Sequence, residues 1–289
     1  MVRKLSSAGA GTVIVAVLIL LLSTAATALA GPPEIMERNA LRVCADGNNM
    51  PFTSRAGEGF ENKIAEMMAE ELGLPISYTW SPQIMGFVRN TLQLRVCDVI
   101  IGVVSGYQFV QNTNPYYRSV YSIVLPHDSP IETDDLTDPV LAGMTIGAVA
   151  DTPPMVPLRR NDVRIQTYAR HVDTRAMSPA RDAVAHVAQG RLDAAVVWGP
   201  IAGYYAKRHD PPLKVVPLDA RNGAHGRQDF RITMGIRRNE PLWMDWINDF
   251  ILRHQDEIDE LLREHDVPLL DARGELVVEP QQVKGASGQ

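Results

Sequence analysis

The side chains best suited to binding chemistry follow a short apolar run, CDVIIGVV at residues 97–104. This run is rich in β-branched residues and predicts a strand that is covered on both faces of a parallel sheet. Loops at the carboxyl ends of such strands form the binding crevices of open α/β sheets. The candidates in this loop are Ser105, Tyr107, Gln108, Tyr116 and Tyr117. They suit contacts to a ligand or a partner, but none of them forms an obvious nucleophile–base pair.

Further candidates stand in turns and at the ends of other predicted elements. They are Asp46, Asn48, Asn49, Phe52, Phe60, Asp151, Thr152 and Trp198. Only Asp46, Asp151 and Tyr107 could serve as acid–base groups in an enzyme. A structural interpretation competes with each of these roles, because Asx side chains satisfy the backbone of turns and aromatic rings fill cores. The residue types leave both interpretations open.

Neither the histidines nor the arginines define a site by their spacing. The histidines lack metal-ligand spacing, so the sequence predicts no metal centre and no cofactor; they are His127, His171, His186, His209, His225, His254 and His265. Arginines crowd one later stretch, with Asp162, Asp173 and Asp182 between them; they are Arg159, Arg160, Arg164, Arg170, Arg175 and Arg181. Such a pattern is typical either of a solvated face or of a docking patch for an acidic partner.

Composition places the chain among ordinary globular proteins. Its 289 residues are 45% hydrophobic and 21% charged, with a formal net charge of −6, and this length allows two lobes. No basic footprint for nucleic acid is present. Residues 1–30 resemble a signal peptide, with Arg3 and Lys4, an apolar stretch at 13–22 and the AxA site at 28–30. We expect a secreted, periplasmic chain cleaved after Ala30, with no stable membrane span after cleavage. The alternative is an uncleaved N-terminal anchor.

Export makes Cys44 and Cys97 a candidate disulfide. If they lie in neighbouring parallel strands, several residues of offset would separate them, whereas a bridge needs Cα atoms within about 7 Å. The sequence does not fix the register, so a disulfide and two separate buried thiols remain alternatives.

The first half of the chain predicts a β-α-β-α-β order. Strands are expected at 41–46, 76–80 and 97–104, a helix at 60–72, and a second helix after Ser81 and Pro82. Residues 105–119 are expected to form a loop, followed by a strand at 120–126. The pattern then begins again, with strands at 145–149, 164–168, 194–198, 214–218 and 230–237 and helices after Pro179, Gly199, Asn239 and Gln255. Alternation of this kind favours two α/β lobes with parallel sheets.

The chain resembles the periplasmic solute-binding proteins that bind amino acids. The resemblance rests on LRVCADGNNMPF, GEGFENKIAEMMAEELG, CDVIIGVV, NPYYRS, LAGMTIGAVADTPP and GRLDAAVVWGP. It implies a type II, two-lobed α/β fold, each lobe a mostly parallel sheet flanked by helices, with a ligand cleft between the lobes. The expected division is a first lobe at 31–126, a second lobe at 127–229, a return to the first lobe at 230–279 with the C-terminal helices, and a disordered tail at 280–289.

The chain also resembles a narrower group, the MoxJ/XoxJ subgroup that accompanies quinoprotein dehydrogenases. This resemblance rests on the first two motifs together with YTWSPQIMGFVRNTL and NPYYRSVY. It implies a non-catalytic accessory protein that assists maturation or activation of a PQQ-dependent methanol dehydrogenase. Two charge anchors of amino-acid binders are replaced. Tyr107 and Gln108 stand near the usual carboxylate-binding Arg, and Trp198 stands where an Asp usually meets the ligand ammonium.

Two rival functions remain. One is the small-solute-binding subunit of an ABC importer; the missing anchors disfavour amino acids as its cargo but not other solutes. The other is an enzyme on the same fold, such as a dehydratase, which would need acid–base groups that converge in the cleft. A small or apolar ligand is an alternative occupant of the cleft itself.

Overall fold

The structure is a computed structural model that describes residues 38–170, 172–221 and 226–277. The predicted signal peptide at 1–30 and the predicted tail at 280–289 lie outside the described residues, as do His171 and His225. Across the described ranges, no helix combines the length and the apolar character needed to cross a bilayer.

Eleven strands and seven α-helices make up the described fold. The strands are β1 (Leu41–Ala45), β2 (Asn48–Asn49), β3 (Thr53–Ser54), β4 (Ile76–Trp80), β5 (Ile100–Val104), β6 (Gln111–Leu125), β7 (Thr145–Val149), β8 (Arg164–Tyr168), β9 (Ala194–Trp198), β10 (Lys214–Pro217) and β11 (Asp229–Ile236). The helices are α1 (Phe60–Leu72), α2 (Phe87–Asn90), α3 (Met155–Leu158), α4 (Pro179–Ala188), α5 (Gly199–Ala206), α6 (Pro241–Arg253) and α7 (Gln255–Glu264).

The first lobe is the group of elements around β4, β1, β5, β11 and the first half of β6. β1 pairs in parallel with β4, and a parallel bridge from Val43 to Val99 joins it to the chain entering β5. β11 then lies antiparallel between β5 and β6. The second lobe is arranged in the same way around β9, β7 and β8, which are parallel, with β6 and β10 added antiparallel.

β6 belongs to both lobes. Its residues from Gln111 to Val120 pair with β11, and those from Tyr121 to Val124 pair with β9. One continuous strand therefore crosses from the first sheet into the second, which fixes the two sheets around a shared backbone segment.

Two predicted elements are wrong in extent. The loop expected at 105–119 is a turn only as far as Val110, because β11 supplies hydrogen-bonding partners to β6 from Gln111 onward. The helix expected after Ser81 and Pro82 shrinks to the four residues of α2, since Gly86 takes a left-handed φ of 91° and Met85 is 82% exposed. Of the apolar residues that suggested the longer helix, Val88 and Leu92 are buried in one cluster, whereas Ile84 is 41% exposed.

The structure joins Cys44 and Cys97 in a disulfide, with 5.4 Å between their Cα atoms. Cys97 lies in the turn before β5 and not in the regular strand, so the register offset that opposed a bridge does not apply. Phe87, Leu92 and Ile100 pack around the two sulfurs in one apolar cluster of the first lobe.

Candidate functional site

A cavity of about 230 Å³ lies between the two lobes. From the first lobe it is lined by the turn after β1 and by Gln83; from the second lobe it is lined by the turns after β7, β8 and β9. Its wall includes Asn48, Asn49, Met50, Tyr121, Val149, Thr152, Arg170, Thr174, Met177 and Trp198. These turns follow the carboxyl ends of parallel strands, where α/β sheets place ligands.

Asp46 organises the first-lobe wall of the cleft. Its side chain is 1% exposed and accepts hydrogen bonds from the backbone N–H of Asn48 at 3.0 Å and of Gln83 at 2.9 Å. The hydroxyl of Thr174, from the second lobe, lies 2.8 Å from both carboxylate oxygens. The side-chain amide of Asn48 also donates to the carbonyl of Thr174. The carboxylate is thus occupied in joining the lobes and does not face the cavity as an open acceptor.

Aromatic rings form the second-lobe wall. Tyr121 and Trp198 are paired across β6 and β9, with ring centroids 5.2 Å apart, and Phe230 packs against both. Burial raises the pKa of Tyr121 to about 12, although the positive charge of Arg170 acts in the opposite direction. Tyr121 therefore stays protonated at neutral pH and presents a neutral hydroxyl.

One cation, Arg170, lies in the cavity wall. Its guanidinium donates to the carbonyl of Asp151 at 2.7 Å, which holds the turn after β7. Asp151 itself is exposed, has a left-handed φ of 55° and does not line the cavity. Thr152 does line it, with its hydroxyl donating to the carbonyl of Val149 at 2.6 Å.

The predicted candidates divide into three groups. Those brought together in the cavity wall are Asn48, Asn49, Thr152 and Trp198, with Asp46 directly behind. Those packed in the interior of the first lobe are Phe60, Tyr116 and Tyr117, with Phe52 half-buried against Phe60 at 5.4 Å. Burial raises the pKa of both tyrosines well above the usual value.

The third group lies away from the cavity. Ser105, Tyr107 and Gln108 occupy an exposed turn between β5 and β6, and Asp151 is exposed in the turn after β7. Gln108 lines a different cavity, together with Phe109, Arg95, Arg237 and Arg238. Tyr107 and Gln108, which the resemblance placed near the carboxylate-binding Arg of amino-acid binders, therefore do not line the cavity between the lobes.

Gln83, Arg170, Thr174 and Met177 line the cleft but were not among the predicted site residues. The last three lie between β8 and α4, in a polar connection whose length was itself a signal, because long loops between regular elements often carry function.

The cleft residues can bind but offer little for acid–base chemistry. The buried carboxylate behind the cavity wall, Asp46, is hydrogen-bonded on both oxygens. The hydroxyl of Tyr121 is neutral. Within the described ranges, no three His, Cys, Asp or Glu side chains converge as a metal-binding group. The geometry supports recognition of a ligand through one cation, amide groups and aromatic faces.

Comparisons with known proteins agree with this architecture. No family profile matches the chain. The crystal structure of periplasmic binding protein XoxJ from Methylobacterium extorquens AM1 is 39% identical with a TM-score of 0.68, covering 80% of this chain and 100% of that one. MxaJ from Methlophaga aminisulfidivorans MPT is 26% identical with a TM-score of 0.69, covering 80% of this chain and all of that one. Protein MoxJ of Paracoccus denitrificans is 28% identical over 85% of this chain and 94% of its own length.

The fold and the cleft define a two-lobed, type II periplasmic solute-binding protein, an architecture shared at 22% identity by an ancestral cationic amino acid-binding protein. Within this class the chain belongs to the MoxJ/XoxJ family.

Proposed function

We propose that this protein is a periplasmic, non-catalytic accessory protein of a methanol-oxidation system that assists maturation or activation of a PQQ-dependent methanol dehydrogenase. The observation that carries the proposal is the 39% identity to XoxJ over the full length of that chain. The motifs that resemble the MoxJ/XoxJ subgroup supply the link to the dehydrogenase.

The cleft supports a role other than amino-acid transport. A free amino acid brings one carboxylate and one ammonium, and burying either without a charged partner costs several kcal/mol. Arg170 could meet the carboxylate, but Asp46 is engaged with Thr174 and two backbone N–H groups, and Trp198 has no acceptor for an ammonium. Calorimetry should therefore show no standard amino acid bound more tightly than about 0.1 mM.

Deletion of the gene tests the cellular role. We expect the specific activity of methanol dehydrogenase to fall while its transcript and polypeptide persist, because the proposed role follows synthesis. Complementation with the wild-type gene is the control for polar effects. Unchanged specific activity in the deletion strain would remove the basis for an accessory role.

The alternative, a solute-binding subunit of an importer, is favoured by one observation: Arg170 and Tyr121 offer charge and hydrogen bonding to a small anion in the cavity. A micromolar complex with a small carboxylate, weakened by Arg170→Gln, would support this alternative. Dehydrogenase activity would then be independent of the protein.

A further inference from the structure

A second cavity, of about 530 Å³, lies on the outside of the first lobe, and we call it the arginine pocket. It is formed by Leu92, Arg95, Gln108, Phe109 and Arg238, with Gln93 and Arg237 completing its lining. Gln108 and Phe109 belong to the turn between β5 and β6, which the sequence predicted as a binding loop. This turn does not line the cavity between the lobes.

Three chain segments are tied together to form this pocket. The guanidinium of Arg238 donates to the carbonyl of Gln108 at 2.8 Å, and the side-chain amide of Gln93 lies 3.4 Å from the carbonyl of Phe109. The turn itself is held by Asn112, whose side-chain oxygen accepts from the N–H of Gly106 at 2.8 Å. The disulfide at Cys97 fixes the segment that carries Arg95. The pocket is preformed, which lowers the entropic cost of binding there.

Among the described residues Arg237 is ion-paired, whereas Arg95 and Arg238 are not. Arg237 and Arg42 both contact Asp98, at 2.9 and 2.7 Å, and Arg237 also contacts Glu240 at 2.8 Å. None of the residues lining the pocket is acidic. In the part of the chain that the structure describes, neither Arg95 nor Arg238 has a carboxylate within ion-pair distance. Two positive charges thus remain on one face of a chain whose formal net charge is −6.

An exposed aromatic ring, that of Phe109, lines the pocket together with these cations. Phe109 is 66% exposed and stacks obliquely on Tyr107, with ring centroids 5.5 Å apart. Leu94, the chain neighbour of Arg95, is also 66% exposed but does not line the pocket. Exposed aromatic rings and arginines are the residue types that protein interfaces favour.

We propose that the arginine pocket docks an acidic segment of a protein partner, with Arg95 and Arg238 pairing carboxylates while Phe109 covers an apolar side chain of that segment. A protein segment fits because the pocket lining combines cationic side chains with an exposed aromatic ring, and no carboxylate of the described residues pairs with Arg95 or Arg238. The inference rests on the proposed function, since it assigns a docking face to the accessory protein's partner.

The test is the affinity of the purified mature protein for purified PQQ-dependent methanol dehydrogenase, measured by surface plasmon resonance at low and physiological salt. We expect R95E/R238E to weaken binding about tenfold or more and to lower its salt dependence. Phe109→Ser should weaken binding about fivefold, mainly through faster dissociation. All three residues are exposed, so circular dichroism should show unchanged folding.

The matched control is R159E/R160E, which makes the same charge change at two exposed arginines of the second lobe. Its affinity should stay within about twofold of wild type. Wild-type affinity in R95E/R238E overturns the docking face but leaves the proposed function intact. An equal loss of affinity in R159E/R160E overturns the docking face and places the electrostatic contact on the second lobe. A second sensor surface carries vesicles of anionic phospholipid. If the wild type does not bind the dehydrogenase, or binds only the vesicles, both the docking face and the proposed dehydrogenase partnership are overturned.

Discussion

The first lobe contains the buried carboxylates and the covalent cross-link, whereas the second lobe is packed from apolar side chains. Among the described residues the buried acidic side chains are Asp46, Glu61, Asp98, Asp229 and Glu240, all on first-lobe elements or their turns. The second lobe holds two buried apolar clusters, which include Ile123, Ile146, Val184, Val187 and Val196.

This difference gives the lobes different sensitivities. The stabilisation from buried apolar surface depends little on pH or redox state. The stabilisation from buried carboxylates depends on pH, and that from a disulfide depends on redox state. We therefore expect the stability of the first lobe to depend more on pH and redox state than the stability of the second lobe. Four changes test how far this contrast extends.

Removal of the disulfide should have the largest effect. Cys44 and Cys97 are separated by 53 positions, and closing a loop of that length stabilises the folded state by about 4 kcal/mol in the chain-entropy model. C44A/C97A should lower the urea midpoint. Hydrogen exchange should quicken in β1 and β5 while β7 and β9 keep their protection. Equal loss of protection in both lobes would mean that they open as one unit, and the contrast would fail.

Glu61→Gln should stabilise the protein at neutral pH. The side chain is 5% exposed and confined, since a Cβ at Gly102 would come 2.0 Å from its Oε1. Burial raises the pKa of Glu61 from 4.5 to about 8. Between these values the unfolded chain releases a proton that the folded chain keeps, so stability falls as pH rises. The gain from glutamine should reach up to about 3 kcal/mol at pH 7 and vanish near pH 4.5.

Urea unfolding of this variant at the two pH values measures the gain. Glu264→Gln, at an exposed glutamate of α7, is the matched control. A gain that does not change with pH would show that Glu61 is ionised in the folded protein, and the first lobe would lose this part of its sensitivity to protons.

Thr174→Val should loosen the contact between the lobes. It removes the hydroxyl that lies 2.8 Å from both oxygens of Asp46, while the backbone donors to that carboxylate remain. The loss should be about 1–2 kcal/mol, which favours a more open arrangement visible as a larger radius of gyration in small-angle scattering. Thr167→Val, on exposed β8, should leave the scattering unchanged. An unaltered radius in Thr174→Val would show that this contact does not hold the cleft.

His254→Gln should give the smallest effect. The ring bridges Glu257 at 2.6 Å and Glu71 at 2.7 Å, and these hydrogen bonds raise the pKa of His254. The protonated ring therefore stabilises the folded protein fully below about pH 6.5, and this stabilisation is lost as pH rises through the raised pKa. Because the side chain is partly exposed, the variant should lose about 0.5 kcal/mol or less at pH 6 and nothing at pH 9 by urea unfolding. His209→Gln is the control. An equal loss of stability in that variant would show that the hydrogen bonds of His254 to Glu71 and Glu257 do not contribute to the pH dependence.

Much of the fold could be predicted because local signals agreed with the tertiary structure. α1 spans Phe60–Leu72 as expected, since its apolar face is buried and Gly73 ends it with a left-handed φ of 64°. β7 and β9 also match, being short, buried and parallel. β6 could not be predicted in full, because its polar half is a strand only through pairing with β11 more than a hundred residues later in the chain.

The candidate site was predictable only where it follows strand ends. Asn48, Asn49, Thr152 and Trp198 line the cleft because turns after parallel strands meet at one edge. Arg170 and Thr174 could not be placed, since their position depends on how closely the two lobes approach. Tyr107 and Gln108 were expected in the cleft because the resemblance to amino-acid binders places them near the carboxylate-binding Arg, but the short turn before β6 carries them away from the cleft.

The position of β11 between β5 and β6 also governs the order in which the chain can be assembled. During synthesis β5 and β6 both exist before the whole second lobe has been made, and β11 is made only after it. Until then β5 and the first half of β6 each present an unpaired edge, which is the kind of surface through which nascent chains aggregate. The second lobe, whose paired strands β6 to β10 are contiguous in the chain, can form first, and the last long strand to emerge then closes the first sheet from within.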